Sequence, residues 1–81
     1  MENNDGKIKL NFKDTNGSIY EMYAEPNQTL RKVVRKLLNK HKNINNEIIE
    51  QFDFKAKTLN LDDTVEKNNL VDGCEITIVY K

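Results

Sequence analysis

The chain has 81 residues, and its 13 lysines and arginines balance 13 aspartates and glutamates, leaving no formal net charge. That length admits one domain with a small core, burying only roughly 60% of the unfolded surface. One cysteine and one histidine exclude an intramolecular disulfide and a Cys/His zinc cluster, so stability must come from packing and hydrogen bonding.

Residues 1–6 are polar and acidic, without the apolar stretch of a secretory signal. No segment approaches the roughly 18 apolar residues that a transmembrane helix needs. The expectation is a flexible tail at 1–6 and a soluble domain at 7–81. The missing cysteine framework fits a reducing, intracellular compartment, cytoplasmic or nuclear. Charge is nevertheless segregated: between Asn27 and Asn46 every charged residue is basic, namely Arg31, Lys32, Arg35, Lys36, Lys40 and Lys42. A surface polarised in this way steers a charged partner even at zero net charge.

Residues 7–13 alternate, with Ile8, Leu10 and Phe12 on one side and Lys9, Asn11 and Lys13 on the other. This is the pattern of a half-buried strand. Asn16-Gly17 follows, a strong hairpin signal between alternating segments. Residues 19–25 return as a second strand, placing Tyr20, Met22 and Ala24 opposite Ile19, Glu21 and Tyr23. Pro26 ends it because proline has no N–H for the ladder.

Thr29 stands at a helix N-cap position, its hydroxyl able to accept from a free backbone N–H. Leu30, Val33, Val34, Leu37, Leu38 and His41 then share one helical face, opposite Arg31, Lys32, Arg35, Lys36 and Asn39, with Lys40 on the flank. The helix runs about three turns, and residues 42–46 read as a loop. The second half is less regular. Phe52 and Phe54 alternate about Asp53 in a short strand whose start, at Ile48 or Ile49, is ambiguous. Leu59 and Leu61 anchor a further short strand or turn, and Asp62-Asp63-Thr64 reads as the cap of a brief helical turn carrying Val65. Asp72-Gly73 supplies a turn, and residues 74–80 form a last strand with Ile76, Ile78 and Tyr80 on one face. The fold class is α+β: a sheet with the apolar face of one amphipathic helix laid across it.

From residue 7 to residue 81 this order resembles the ubiquitin-like β-grasp family. The resemblance rests on Thr15-Asn16-Gly17-Ser18 at the first turn and on Glu25-Pro26 leading into Thr29-Leu30 and Val33. It rests further on the spacing of Leu59, Asp63-Thr64-Val65, Leu70, Gly73 and Ile76-Thr77-Ile78-Val79. It implies a mixed sheet of four to five strands, with the first and last adjacent and parallel at its centre, and an intracellular, eukaryotic, monomeric module. The chain stops at Lys81, where the family's modifiers continue to Gly-Gly; the resemblance then implies no isopeptide attachment and no sulfur-carrier role. Thr15, Asp53, Thr77 and Val79 fall in the neighbourhood of ubiquitin's apolar patch. Asp53 replaces its central aliphatic residue, which disfavours receptors that bury that patch. The helix is more similar to that of SUMO-type proteins, which bind apolar-acidic peptides as an added strand between the second strand and the helix. Lys32 and Lys40 fall on basic positions of that groove, while Tyr23 and Glu25 stand where basic residues are usual.

The function expected is a non-conjugated protein-interaction module docking an acidic partner or peptide. The candidate binding residues are Lys32, Lys40, Tyr23, Ile19, Arg31, Arg35 and Val79. Two alternatives stay open: a covalent modifier truncated before Gly-Gly, or a PB1-like pairing domain joining the basic helix to an acidic region at Asp62, Asp63 and Asp72. A solvated, lysine-rich helix exterior is the plain reading of the same basic face. No catalytic residues, metal or cofactor are expected, since His41 and Cys74 lie in different elements and no Gly-rich phosphate loop exists. Nucleic acid is not the expected partner, because no aromatics interleave with the helix lysines.

Overall fold

The two alternating runs form strands β1 (Ile8–Lys13) and β2 (Ile19–Ala24), antiparallel from Ile8↔Ala24 to Lys13↔Ile19. They are seen in a computed structural model that describes residues 6–81; of the expected tail, residues 1–5 lie outside the described residues. The turn between the strands is one residue longer than the shortest Asn-Gly hairpin. Gly17 N–H donates to the Asp14 carbonyl at 3.1 Å, and Asp14 N–H donates to the Ser18 carbonyl at 2.8 Å. Gly17 takes φ 91°, the left-handed residue that closes a three-residue loop. Asn16 contributes through its side chain, whose Oδ1 accepts from Ser18 N–H at 3.0 Å.

Helix α1 (Leu30–Lys40) starts where expected, with the Thr29 side chain accepting from Lys32 N–H. The first two helical N–H groups find tertiary acceptors: Leu30 donates to the Asp63 carbonyl and Arg31 to the Leu61 carbonyl, both at 2.9 Å. These donors have no partner inside a helix, so the later loop finishes the cap. Leu30, Val33, Val34 and Leu37 are buried. The following loop holds one core residue that its polar surroundings conceal, Ile44, which is buried. Asn45 then caps a single 3₁₀ turn, Asn46–Ile48, by accepting from Glu47 N–H.

Strand β3 (Ile49–Phe54) carries a bulge that resolves the Ile48/Ile49 ambiguity. Ile49 pairs with Tyr80 and Gln51 with Val79, so Glu50 is the extra residue and the strand bends there. Ile49 is half-buried, and Ile48 is left exposed. The short strand expected around Leu59 and Leu61 lies just before them, as β4 (Lys57–Thr58); both leucines follow it, half-buried. The expected helical turn after Asp62-Asp63 is a series of turns instead. Of the three capping residues expected, Thr64 supplies the cap, its Oγ1 accepting from Lys67 N–H at 3.0 Å. Asn68 fastens the segment, donating to the carbonyls of Asn60 at 2.8 Å and Thr64 at 2.9 Å while accepting from Asn60 N–H.

Strand β5 (Cys74–Tyr80) enters through Gly73 at φ 83° and pairs parallel with β1 and antiparallel with β3. The sheet has five strands in the order β2-β1-β5-β3-β4. Its inner face meets α1 around Leu10, Phe12, Ile76 and Ile78, each fully buried, with Phe12 and Phe52 edge to face at 5.8 Å.

The β3–β4 turn leaves two central residues, Lys55 and Ala56, between paired Phe54 and Lys57, at φ 54° and 65°. Both are left-handed, a geometry that favours Asn-Gly and costs roughly 1–2 kcal/mol for an ordinary L-residue. Replacing Lys55→Asn together with Ala56→Gly is expected to stabilise the domain by about 1 kcal/mol, raising Tm by roughly 4–8 °C. Thermal unfolding followed by circular dichroism checks it; an unchanged Tm would mean that the turn carries no strain.

Candidate functional site

At 100° per residue, α1 presents two different basic flanks beside its buried face. Arg31 and Arg35 lie on the side of Val34 and Leu38. With β3 and residues 58–61 these four wall a cleft of about 450 Å³. Lys32, Lys36 and Lys40, four residues apart, form a ridge that winds from the solvent-facing side round to the β2 flank. All three are exposed. Lys36, which the sequence pattern did not single out for the groove, sits between the two lysines that it did.

Their charges are engaged differently. Arg31 donates through Nε at 3.1 Å and Nη2 at 2.9 Å to Asp62 Oδ1, tying the helix to the loop that caps it. Among the described residues, Lys32, Arg35, Lys36 and Lys40 make no salt bridge. The acidic region at 62–72 is already occupied in part: Asp62 holds Arg31, and Asp72 Oδ1 accepts from Lys9 N–H at 2.7 Å.

Strand β2 is an edge of the sheet, and its outer residues Ile19 and Tyr23 are 55% and 45% exposed. Glu21 stands between them and reaches Lys9 at 4.0 Å, while Lys13 reaches Glu75 at 3.5 Å. Val79 is half-buried on β5, paired with Gln51. Ile19, Tyr23 and Val79 are therefore three separate apolar points on a charged lattice. The floor between β2 and α1 is filled by Met22, Ala24, Val33 and Leu37, all buried. Tyr20 closes its far end: its ring lies 4.6 Å from that of His41, and its hydroxyl accepts from Asn43 Nδ2 at 2.9 Å. At the same end, burial and the neighbouring Asp14 carboxylate push the Tyr80 phenol up to about 12.

Asp53 lies between Thr77 and Thr58 on the outer face, and its Oδ1 accepts from Gln51 Nε2 at 2.8 Å. Gln51 Nε2 also reaches Thr58 Oγ1 at 2.9 Å. The β3–β4 side of this face is thus a hydrogen-bonded polar cluster. Cys74 is buried, and that burial pushes its thiol up, away from the reactive thiolate. No three His, Cys, Asp or Glu side chains among the described residues are placed to hold a metal. No helix among them is long and apolar enough to cross a membrane.

No family model matches the chain, and no curated protein matches it in sequence. Solved structures do match its shape. A designed protein based on ubiquitin superposes at TM-score 0.78 with 17% identity, covering 94% of this chain and 90% of that one. Ubiquitin from Caldiarchaeum subterraneum gives TM-score 0.77 and 22% identity over 94% of this chain and 95% of its own. The UBL domain of Plasmodium falciparum Dsk2 gives 0.75 and 25% over 93% and 99%. The fold is the ubiquitin-like β-grasp, in its five-stranded mixed form.

The Arg31–Asp62 pair is solvent-exposed on both sides, at 53% and 76% of the two side chains, and such pairs contribute about 0–1 kcal/mol. Asp62→Asn is expected to cost less than about 1 kcal/mol, with the difference vanishing near 1 M salt, where the screening length is about 3 Å. Urea unfolding at low and high salt reads this. A salt-independent loss above about 2 kcal/mol would assign Asp62 a structural part beyond the ion pair.

Proposed function

We propose that this chain is a non-covalent ubiquitin-like interaction module that docks an acidic partner segment along β2 and the lysine ridge of α1. One observation carries the reading. An open edge strand runs beside a helix whose Lys32, Lys36 and Lys40 have no acidic partner among the described residues. An edge strand offers unpaired N–H and C=O groups to an added strand, and the ridge offers that strand's carboxylates a cationic wall. Tyr23 and Ile19 supply exposed apolar surface on the same strand.

The filled floor of the β2–α1 gap and the Tyr20–His41–Asn43 closure limit how deep a partner side chain enters. The contact in this reading is shallow, made by main chain and charge. Glu25, exposed at the end of β2, turns an acidic partner away from that end and sets where its carboxylates lie. The pairing-domain alternative draws less support, because Asp62 and Asp72 already serve the domain's own contacts.

Reversing the two charges, Lys32→Glu with Lys40→Glu, is expected to weaken capture of an acidic partner about tenfold, from exposed pairs worth up to about 1 kcal/mol each. The fold should survive, since both side chains are exposed. Affinity capture from the native source with wild-type and doubly reversed protein, at low and high salt, measures the effect. Capture that is equal in the two proteins removes the ridge from the site, and recovery of the chain in covalent conjugates contradicts the non-covalent reading.

A further inference from the structure

We propose that the cleft between α1 and the β3–β4 edge is a separate pocket for a peptide segment bearing one apolar anchor residue among acidic ones. It lies on the opposite flank of the helix from the lysine ridge and at the opposite edge of the sheet from β2. The inference is therefore independent of the β2 reading.

The dimensions limit the occupant. About 450 Å³ falls in the range of small-ligand sites, roughly 300–1,000 Å³. It admits a side chain and its neighbours rather than a folded surface. Val34, Leu38, Ile49, Phe52, Leu59 and Leu61 make the apolar part of the wall, so the group that enters deepest is apolar. On the helix rim stands Arg35, which has no ion-pair partner among the described residues. Beside it the Arg31 guanidinium is held in place by Asp62. A guanidinium at the mouth of an apolar recess presents a planar fork of donors suited to a carboxylate.

The surroundings extend the same charge preference. Thr58 and Leu59 also wall a second recess of about 330 Å³, which carries Lys55, Lys57 and Lys67 and has no acidic residue in its lining. Lys55 is held with its ammonium 5.4 Å from the Phe54 ring centre. The left-handed Lys55-Ala56 turn places Lys55 and Lys57 on this side, and the Thr64–Asn68 hydrogen bonds secure the backbone at Lys67. Cations thus flank the apolar recess on two sides. The one acidic lining residue of the larger cleft is Glu50, the bulge residue of β3, and it disfavours a carboxylate at that rim. The complementary segment has an apolar residue over Leu59, acidic residues toward Arg35 and toward Lys57, and none toward Glu50.

The test uses the 81-residue chain and a synthetic peptide probe with one leucine between two short glutamate runs. Amide shifts are mapped by NMR and affinity is measured by calorimetry. Saturable shifts centred on Val34, Leu38 and Leu59 are expected. Arg35→Glu should weaken binding about tenfold, the loss of one charge-assisted contact. Lys57→Glu with Lys67→Glu should weaken it severalfold, read from the shifts at Val34, Leu38 and Leu59. All these side chains are exposed, and retained spectral dispersion confirms each fold. Four results would overturn the proposal: shifts confined to β2 and the lysine ridge, equal affinity for an all-glutamate peptide, no effect of Arg35→Glu, or the same shifts from a single-stranded oligonucleotide of equal charge.

Discussion

The parallel pairing of β1 with β5 governs the rest of the molecule. Leu10 lies beside Cys74 and Lys13 beside Thr77, so the first and last strands are neighbours and everything between them is one long crossover. Parallel strands cannot be joined by a tight turn and need such a connection. With β2 folded back on one side and β3 on the other, β1 and β5 occupy the centre. Their inward residues Leu10, Phe12, Ile76 and Ile78 are consequently fully buried. Among the described residues, the helix is the one element with an apolar stripe large enough to cover them.

How the helix lies is settled at its N-terminus. Its first donors end on the Asp63 and Leu61 carbonyls, and Val65 and Glu66 N–H groups return bonds to Gln28 and Pro26 at 2.8 and 2.9 Å. This reciprocal set fixes both the position and the rotation of α1. Rotation is what gives the two basic flanks different characters. One set of cations borders an apolar cleft, and the other climbs toward an open strand edge. A chain with no net charge thereby carries two cationic surfaces, while several of its acids serve internal contacts: Asp62 to Arg31, Asp72 to Lys9 N–H, Asp53 to Gln51.

Much of this was legible in the residues. Strict alternation in β1 and β5 and a clean helical stripe specify element and buried face together, because both are periodic local signals. Asn16-Gly17 marks its turn and Thr29 its cap for equally local reasons. The misreadings share one cause. Ile44 is a single apolar residue in a polar loop, and one residue has no period. β4 has two residues and exists only because it is paired. For the surface, sequence placed the basic residues on one helix without saying that Arg31 would be paired, that Lys36 would join Lys32 and Lys40, or that Ile19, Tyr23 and Val79 would be separated by charged neighbours.

The sequence by itself determined the α+β class, the hairpin, the helix with its polarity, the apolar last strand and the concentration of positive charge on α1. Each follows from spacing within a dozen residues, where the geometry of helix and strand leaves little choice. Beyond the central parallel pair that the family resemblance implied, the strand order, the bulge at Glu50 and the cleft between Arg35 and Leu59 were decided only in three dimensions. Those depend on which distant residues come into register across the sheet, and that is set by burying one shared core rather than by any local pattern.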